Sequence, residues 1–352
     1  MPSEFTKIVD KIEDFKEFDN HKFVTLLNNR KAGLEGFIAI HRKNKDVPSF
    51  GATRLWFYDS KEQALKDALR LSYLMSYKAA LAGLPCGGAK AVILKPEKIK
   101  DKKALLEAYA EQLNFLGGQF ITGTDVGLTQ GDIEYMQQYT DSLVGFTGNP
   151  TVATGDGIEK ALQACLQYKF NSPEYIDRTF AIQGLGKVGA ELLSRLYGKA
   201  KTIYVADINE AVISVIQKTY PNITVVKAED IHKQQVDVFC PCALSNALNS
   251  KTINELECQI VCGAANNQLE NNDIGDLLHK LGVLYAPDYV VNAGGLIAVY
   301  FEHQGASNGT VQEKIDNIEE TINNILKESA ETNLPTHRIA NKRAEAVFNT
   351  YE

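Results

Sequence analysis

Two lysines and an aspartate between residues 78 and 125 of this 352-residue chain are of the types and spacing that could do acid–base work. Lys78 shares a helical stripe with Ala64, Ala68, Leu71 and Met75, which puts a cation on an apolar face. A single such lysine would usually only reach past its neighbours to water. Twelve residues on, the run LAGLPCGGAKAVIL sets Gly87 and Gly88 before Lys90 at the mouth of a strand, where two small residues would let a ligand approach. Two lysines in one partly desolvated site would lower each other's proton affinity, leaving one anchoring cation and one usable base. A carboxylate is the natural ligand for the anchor. Asp125, in FITGTDVG, reads by itself as a turn residue; beside two lysines it becomes a candidate proton carrier.

A second centre begins at residue 184. The strand TFAIQ (179–183) runs into Gly184-Leu185-Gly186-Lys187-Val188-Gly189, a complete G-x-G-x-x-G that opens a helix. In that motif the first glycine makes the turn, the second admits a pyrophosphate, and the third lets helix pack on strand. The helix N-terminus then offers free N–H groups to phosphate. Asp207 ends the next strand, TIYVAD, where a carboxylate accepts from both ribose hydroxyls and repels a 2′-phosphate. The expected cofactor is therefore NAD rather than NADP, although the Lys187 cation beside the phosphates softens that preference.

The elements that must carry these residues fall into two series. Before about residue 150 the order is mixed: FIAIHRK (37–43), TRLWFY (53–58) and KAVILK (90–95) read as strands, with helices around 61–83 and 104–116. Thr129 and Asp132 have the spacing of a helix cap with its acidic third position. From about residue 155, short apolar strands alternate with amphipathic helices through TFAIQ, TIYVAD, ITVVK, VDVFCPC and QIVCGAA, which predicts a doubly wound parallel sheet. Long helices are expected over 311–330 and 336–349. The fold class is α/β with two domains: 1–150, rejoined by about 331–352, and 151–330.

Composition narrows the function. Lys and Arg total 37 against 44 Asp and Glu, a net charge of −7 that argues against nucleic acid as a partner. The N-terminal MPSEFTKIVDKIEDFKEF is charged throughout, unlike a signal peptide, and the apolar run 289–301 is too short to span a bilayer. The six cysteines lack zinc-site spacing, so no metal is expected, and they read as reduced thiols of a cytoplasmic protein. The six histidines lie outside these motifs and read as surface or capping residues.

Taken in order, FGATRLW (50–56), MSYKAALAGLPCGGAKAVI (75–93), GTDVG (123–127), TGDGI (154–158), QGLGKVG (183–189), PCAL (241–244), GAANNQL (263–269) and APDYVVNAGG (286–295) resemble the Glu/Leu/Phe/Val dehydrogenase superfamily, in its leucine/phenylalanine branch. The resemblance covers nearly the whole chain. It implies an N-terminal α/β substrate domain, a Rossmann NAD domain, an active site in the cleft between them, and a homo-oligomer. It also implies that Lys78 holds the substrate α-carboxylate, Lys90 is the catalytic lysine and Asp125 shuttles protons with it. Thr154 would lie near the nicotinamide. Asn266 or Asn267 would contact cofactor ribose or the substrate amino group, and Cys242, Ala243 and Asn292 would join the glycine turn, Val188 included, around the cofactor. The implied reaction is reversible oxidative deamination of an amino acid to a 2-oxo acid and ammonia.

Substrate choice follows from departures inside the motifs. Glutamate enzymes carry K-G-G-x-R where this chain has Phe50-Gly51-Ala52-Thr53-Arg54, and a serine where it has Val299. A carboxylate buried against Phe50 without a cation would cost on the order of several kcal/mol, so an apolar side chain is expected. Met75 and Gly51 would complete the substrate site. Gly123 and Leu296 match the phenylalanine pattern better than the leucine one, and a glycine makes room for a ring. Ala52, Ala89 and Lys187 depart from the usual residues without removing a reacting group. The alternative is a catalytically silent NAD-binding regulator on the same scaffold, which loss of Lys90 or Asp125 would have favoured.

Overall fold

The computed structural model describes residues 11–243 and 245–351. Residues 1–10 of the charged N-terminal stretch and Leu244 of the PCAL motif lie outside the described residues. Two compact units divide the chain: the first runs to Gly148 and includes Val299–Ala306 and the end from Ala344, and the second comprises Asn149–Ala298 and Ser307–Arg343.

The first unit is built on β1 (Phe23–Asn29), β2 (Leu34–Ile40), β3 (Ser49–Trp56), α1 (Lys61–Leu81), β4 (Gly88–Leu94), α2 (Lys102–Phe115), β5 (Phe120–Thr124) and α3 (Gln130–Met136). Its five-stranded sheet has the order β1-β2-β4-β3-β5. The β1/β2 and β2/β4 pairs are antiparallel, while β4/β3 and β3/β5 are parallel. Alternate residues take opposite faces. Ala89, Ala91 and Ile93 meet Leu105, Tyr109, Ile133 and Met136 from α2 and α3. Phe37, Ala39 and Val92 meet Ala64, Leu65, Ala68 and Leu69 from α1. That second face carries the chemistry. The expected cap is present at α3, where the Thr129 side chain accepts from the Asp132 backbone and Asp132 accepts in return.

The second unit runs α4 (Pro150–Phe170), β6 (Thr179–Gln183), α5 (Lys187–Leu196), β7 (Thr202–Ala206), α6 (Glu210–Thr219), β8 (Thr224–Val225), β9 (Val236–Pro241), β10 (Cys258–Val261), α7 (Asn272–Lys280), β11 (Leu284–Tyr285), α8 (Asp288–Val291) and α9 (Gly294–His303), then α10 (Asn308–Thr332) and α11 (Thr336–Phe348). The six strands are all parallel, in the order β11-β10-β9-β6-β7-β8. Counted from β6, this is the Rossmann order, with its reversal between β6 and β9. Two of these helices are shared: α9 gives Leu296 to the second unit and Tyr300 and His303 to the first, and α11 passes to the first from Ala344.

The cysteines are unpaired, and all but Cys242 are buried. The histidines depart from the surface reading: His21, His41, His232 and His337 are buried. His21 and His41 pack edge to ring with each other, and His41 also meets Tyr73 and Phe348. Burial lowers the pKa of the first to about 4 and of the second to about 3, so both serve as neutral packing groups.

Candidate active site

Sheet register explains how residues far apart in sequence come together. Ala52 pairs with Lys90 on one side and Gly123 on the other; one step back, Phe50 pairs with Gly88 and Ile121, and one step on, Arg54 pairs with Val92. Partners in register share a face. Phe50, Lys90, Gly123 and Arg54 therefore form successive rows on the side covered by α1. Asp125, just past β5, extends the row of Arg54.

Lys90 is 5% exposed, and its Nζ donates to Asp125 Oδ2 at 2.5 Å. The same oxygen accepts from Arg54 Nε at 3.0 Å. Burial drives the Lys90 pKa down; Asp125 opposes that, and the Arg54 guanidinium adds to it. Burial would raise the Asp125 carboxyl, but Lys90 and Arg54 outweigh it and hold the group well below the usual carboxylate range. The arrangement is a poised pair, with a lysine that gives up its proton readily beside an ionised acid.

Lys78 lies half-buried in the last turn of α1, on the helix face that also carries Asp67 about three turns earlier. Gly87 and Gly88 serve a purpose the sequence reading did not anticipate. A side chain at Gly88 would lie 2.1 Å from Ser76 N and 2.5 Å from the Met75 carbonyl carbon, and one at Gly87 would strike the Arg42 carbonyl. The space expected for a ligand is taken by this chain, because Gly88 lets α1 close on β4 and Gly87 lets the backbone at Arg42, just past β2, approach. The Ser76 hydroxyl seals the contact by accepting from Gly88 N at 2.9 Å. Gly51 has the same role against β4, where a Cβ would lie 1.8 Å from the Ala89 carbonyl oxygen. Gly123 differs: a Cβ there would meet nothing nearer than the Val144 carbonyl oxygen at 3.4 Å.

Phe50 is buried, with its ring 5.0 Å from that of Tyr300 and 5.4 Å from that of His303. Neither α9 residue was singled out from sequence, where attention fell on Leu296 and Val299. Leu296 is buried in the second unit, and Val299 is half-buried on the turn of α9 that precedes Tyr300.

In the second unit the glycine turn lies at the carboxyl end of β6, at the reversal of strand order. Gly184 has φ +92°, open to glycine, and a Cβ there would strike Ala243. A Cβ on Gly189 would lie 2.0 Å from the Gly184 carbonyl oxygen and 3.2 Å from the Cys242 Cβ. Gly186 faces open space within 4 Å. Lys187 and Val188 begin α5, Lys187 exposed and Val188 half-buried. Asp207 accepts from the Leu185 N–H at 2.7 Å and the Asn209 N–H at 2.8 Å. The closed outer glycines, the open middle one and the braced carboxylate fit a dinucleotide.

The other expected cofactor residues form a separate group in this unit. Asn292 donates to Asn266 Oδ1 and to the Ala264 carbonyl, both at 2.9 Å, and leaves its own buried Oδ1 without a partner. Asn267 takes a left-handed conformation, φ +55°. The Thr154 hydroxyl donates to the Pro150 carbonyl at 2.7 Å, and a Cβ on Gly295 would stand 2.9 Å from that hydroxyl.

Comparison with known proteins follows the same lines. The profile of the "Glu/Leu/Phe/Val dehydrogenase, dimerisation domain" matches residues 21–142, and that of "Glutamate/Leucine/Phenylalanine/Valine dehydrogenase" matches residues 204–347. The chain belongs to this family. It is 35% identical to the leucine dehydrogenase of Geobacillus stearothermophilus over 347 residues, covering 96% of this chain and 94% of that one. It is 38% identical to the phenylalanine dehydrogenase of Lysinibacillus sphaericus over 345 residues, covering 95% and 90%. The crystal structure of L-tryptophan dehydrogenase from Nostoc punctiforme superposes with a TM-score of 0.80 at 36% identity, covering 99% of both chains. This chain is therefore an amino acid dehydrogenase, an oxidoreductase of the CH–NH2 group, on a two-domain α/β fold. Among the described residues, no helix is long and apolar enough to cross a membrane.

Proposed function

We propose that this protein catalyses the NAD-dependent, reversible oxidative deamination of an apolar L-amino acid, aromatic in preference to branched, giving the 2-oxo acid and ammonia. The observation that carries the reading is the pairing of buried Lys90 with half-buried Asp125 at 2.5 Å, on the same sheet face as Phe50. Lys78 holds the α-carboxylate. Lys90, once neutral, takes a proton from the water that attacks the iminium carbon, and Asp125 relays protons as the carbinolamine loses ammonia. NAD supplies the hydride acceptor. The glycine turn and Asp207 hold its adenosine and pyrophosphate, with Cys242 and Ala243 beside the turn. Thr154, Asn266, Asn267 and Asn292 serve the nicotinamide end, and the orphaned Asn292 Oδ1 offers an acceptor there. The first unit binds substrate and the second NAD. The working form is a homo-oligomer, which the dimerisation profile over 21–142 supports, and it works in the cytoplasm.

Phe50, packed against Tyr300 and His303, stands where glutamate enzymes carry a lysine, which favours apolar side chains. The similarity to a tryptophan enzyme widens the aromatic class beyond phenylalanine. NADH formation across leucine, valine, phenylalanine, tyrosine, tryptophan and glutamate tests the reading. Turnover of apolar acids with little of glutamate is expected; glutamate turnover equal to theirs would overturn the Phe50 argument. NAD binding with no turnover of any amino acid would favour the silent regulator instead. Gly123→Ala should fold normally, since its methyl meets only ordinary contacts, and should shift kcat/KM from aromatic toward branched substrates by roughly tenfold or more. An unchanged ratio would remove Gly123 from the specificity site.

A further inference from the structure

Behind the Lys90–Asp125 pair lies a row of charges that the sequence reading left unassigned. Arg54 reaches Asp125 Oδ2 through Nε at 3.0 Å and Asp67 Oδ2 through Nη1 at 2.8 Å. Asp67, on α1, is itself held by the Tyr58 hydroxyl at 2.6 Å and by Arg70 at 3.2 Å. The guanidinium is thus clamped at both ends, with about a quarter of its side chain exposed. Arg54 and Lys90 share one carboxylate oxygen, the first from β3 and the second from β4.

We propose that Arg54 is a positioning residue that fixes the Asp125 carboxylate and supplies the second positive charge against which Lys90 gives up its proton. This rests on the dehydrogenase reading of the same site. The charged groups that act most strongly on Lys90 are Asp125 beyond β5, Arg54 on β3 and Asp67 on α1. With Lys90 protonated, the row Lys90, Asp125, Arg54 and Asp67 sums to zero, and loss of the Lys90 proton takes it to one negative charge. Without Arg54 the same loss would take it from one negative charge to two, so Lys90 would hold its proton to higher pH. Removing Asp67 has the opposite sign, because it deletes a negative charge from the row. Arg54 also sets direction: a rigid fork held from behind leaves the carboxylate one orientation toward Lys90.

The test uses Arg54→Met, Arg54→Lys and Asp67→Asn in the full-length protein, with two readouts. The first is the pH profile of kcat/KM for the best amino acid of the panel. The second is the pH dependence of Lys90 acetylation by acetic anhydride, read by mass spectrometry, which requires no turnover. Arg54→Met should move the acidic limb and the labelling midpoint up by about one pH unit. Asp67→Asn should move both down, and Arg54→Lys should restore the position of the limb while kcat stays several-fold low. If Arg54→Met fails to fold, Asp67→Asn still tests the proposal through its downward shift of limb and midpoint. A limb and a labelling midpoint that stay at the wild-type pH in all folded variants would overturn the proposal. Labelling midpoints that shift as stated in a protein turning over no amino acid would leave the role of Arg54 standing and the dehydrogenase reading fallen.

Discussion

Lys90→Ala is expected to lower kcat by about a hundredfold to ten-thousandfold, the usual worth of a positioned acid–base group. Its fold should survive. Asp125 keeps the Arg54 guanidinium at 3.0 Å, so removing the lysine does not strand the carboxylate. The residues flanking position 90 are small, and α1 closes on the neighbouring Gly88 through backbone, not through the lysine side chain. NAD binding should be unchanged, because every residue assigned to it lies in the other unit. Added methylamine or ethylamine, small enough to enter the space of the missing side chain, should recover part of the rate. A Lys90→Ala protein retaining more than about a tenth of wild-type kcat would place the base elsewhere.

How much of this could be read in advance depends on whether the signal is local. The parallel strands of the second unit are buried on both faces, so their apolar runs stand out: TFAIQ and TIYVAD coincide with β6 and β7 to within a residue. The glycine turn is a local device as well, and its three positions behave as their spacing requires. In the first unit the strand centred on FIAI begins earlier, at Leu34, and β1 was passed over, because its FVTLLNN is only half covered and alternates weakly. Helix α4 has a weak signal too: Gly155 and Gly157 interrupt its first turns, while Asn149 caps it and Pro150 starts it just before them. Arg54 is the instructive omission. Its signal was parity along β3, since Phe50, Ala52 and Arg54 share a face, but parity cannot name the partner strand. Only the pairing of Ala52 with both Lys90 and Gly123 brings Arg54 to Asp125. Tyr300 and His303 were invisible for a stronger reason: about 250 residues separate them from the Phe50 ring they touch, and no sequence period connects them.

Gly189→Ala and Gly186→Ala should separate the two tasks of the glycine turn, folding and cofactor approach. At position 189 a methyl would lie 2.0 Å from the Gly184 carbonyl oxygen, which is backbone and cannot swing aside, and 3.2 Å from the Cys242 Cβ. The helix must then move away from the strand, at a cost of about 1–3 kcal/mol typical of overpacking. That predicts a lower Tm together with weaker NAD binding, since the displaced helix no longer aims its N-terminal N–H groups at the phosphates. At position 186 the backbone is extended, φ −65° and ψ −169°, and no atom stands within 4 Å of the added methyl. Gly186→Ala should therefore keep the wild-type Tm and still bind NAD at least about tenfold more weakly, because the methyl occupies the approach to the pyrophosphate. Differential scanning fluorimetry and titration of NAD by protein fluorescence read both quantities on the same samples. Wild-type NAD affinity in Gly186→Ala would mean that the phosphates do not pass over this turn, and the cofactor assignment of Gly184, Gly186, Lys187 and Gly189 would fall with it. A loss of Tm equal to that of Gly189→Ala would instead mean that the open side of the turn is a packing surface.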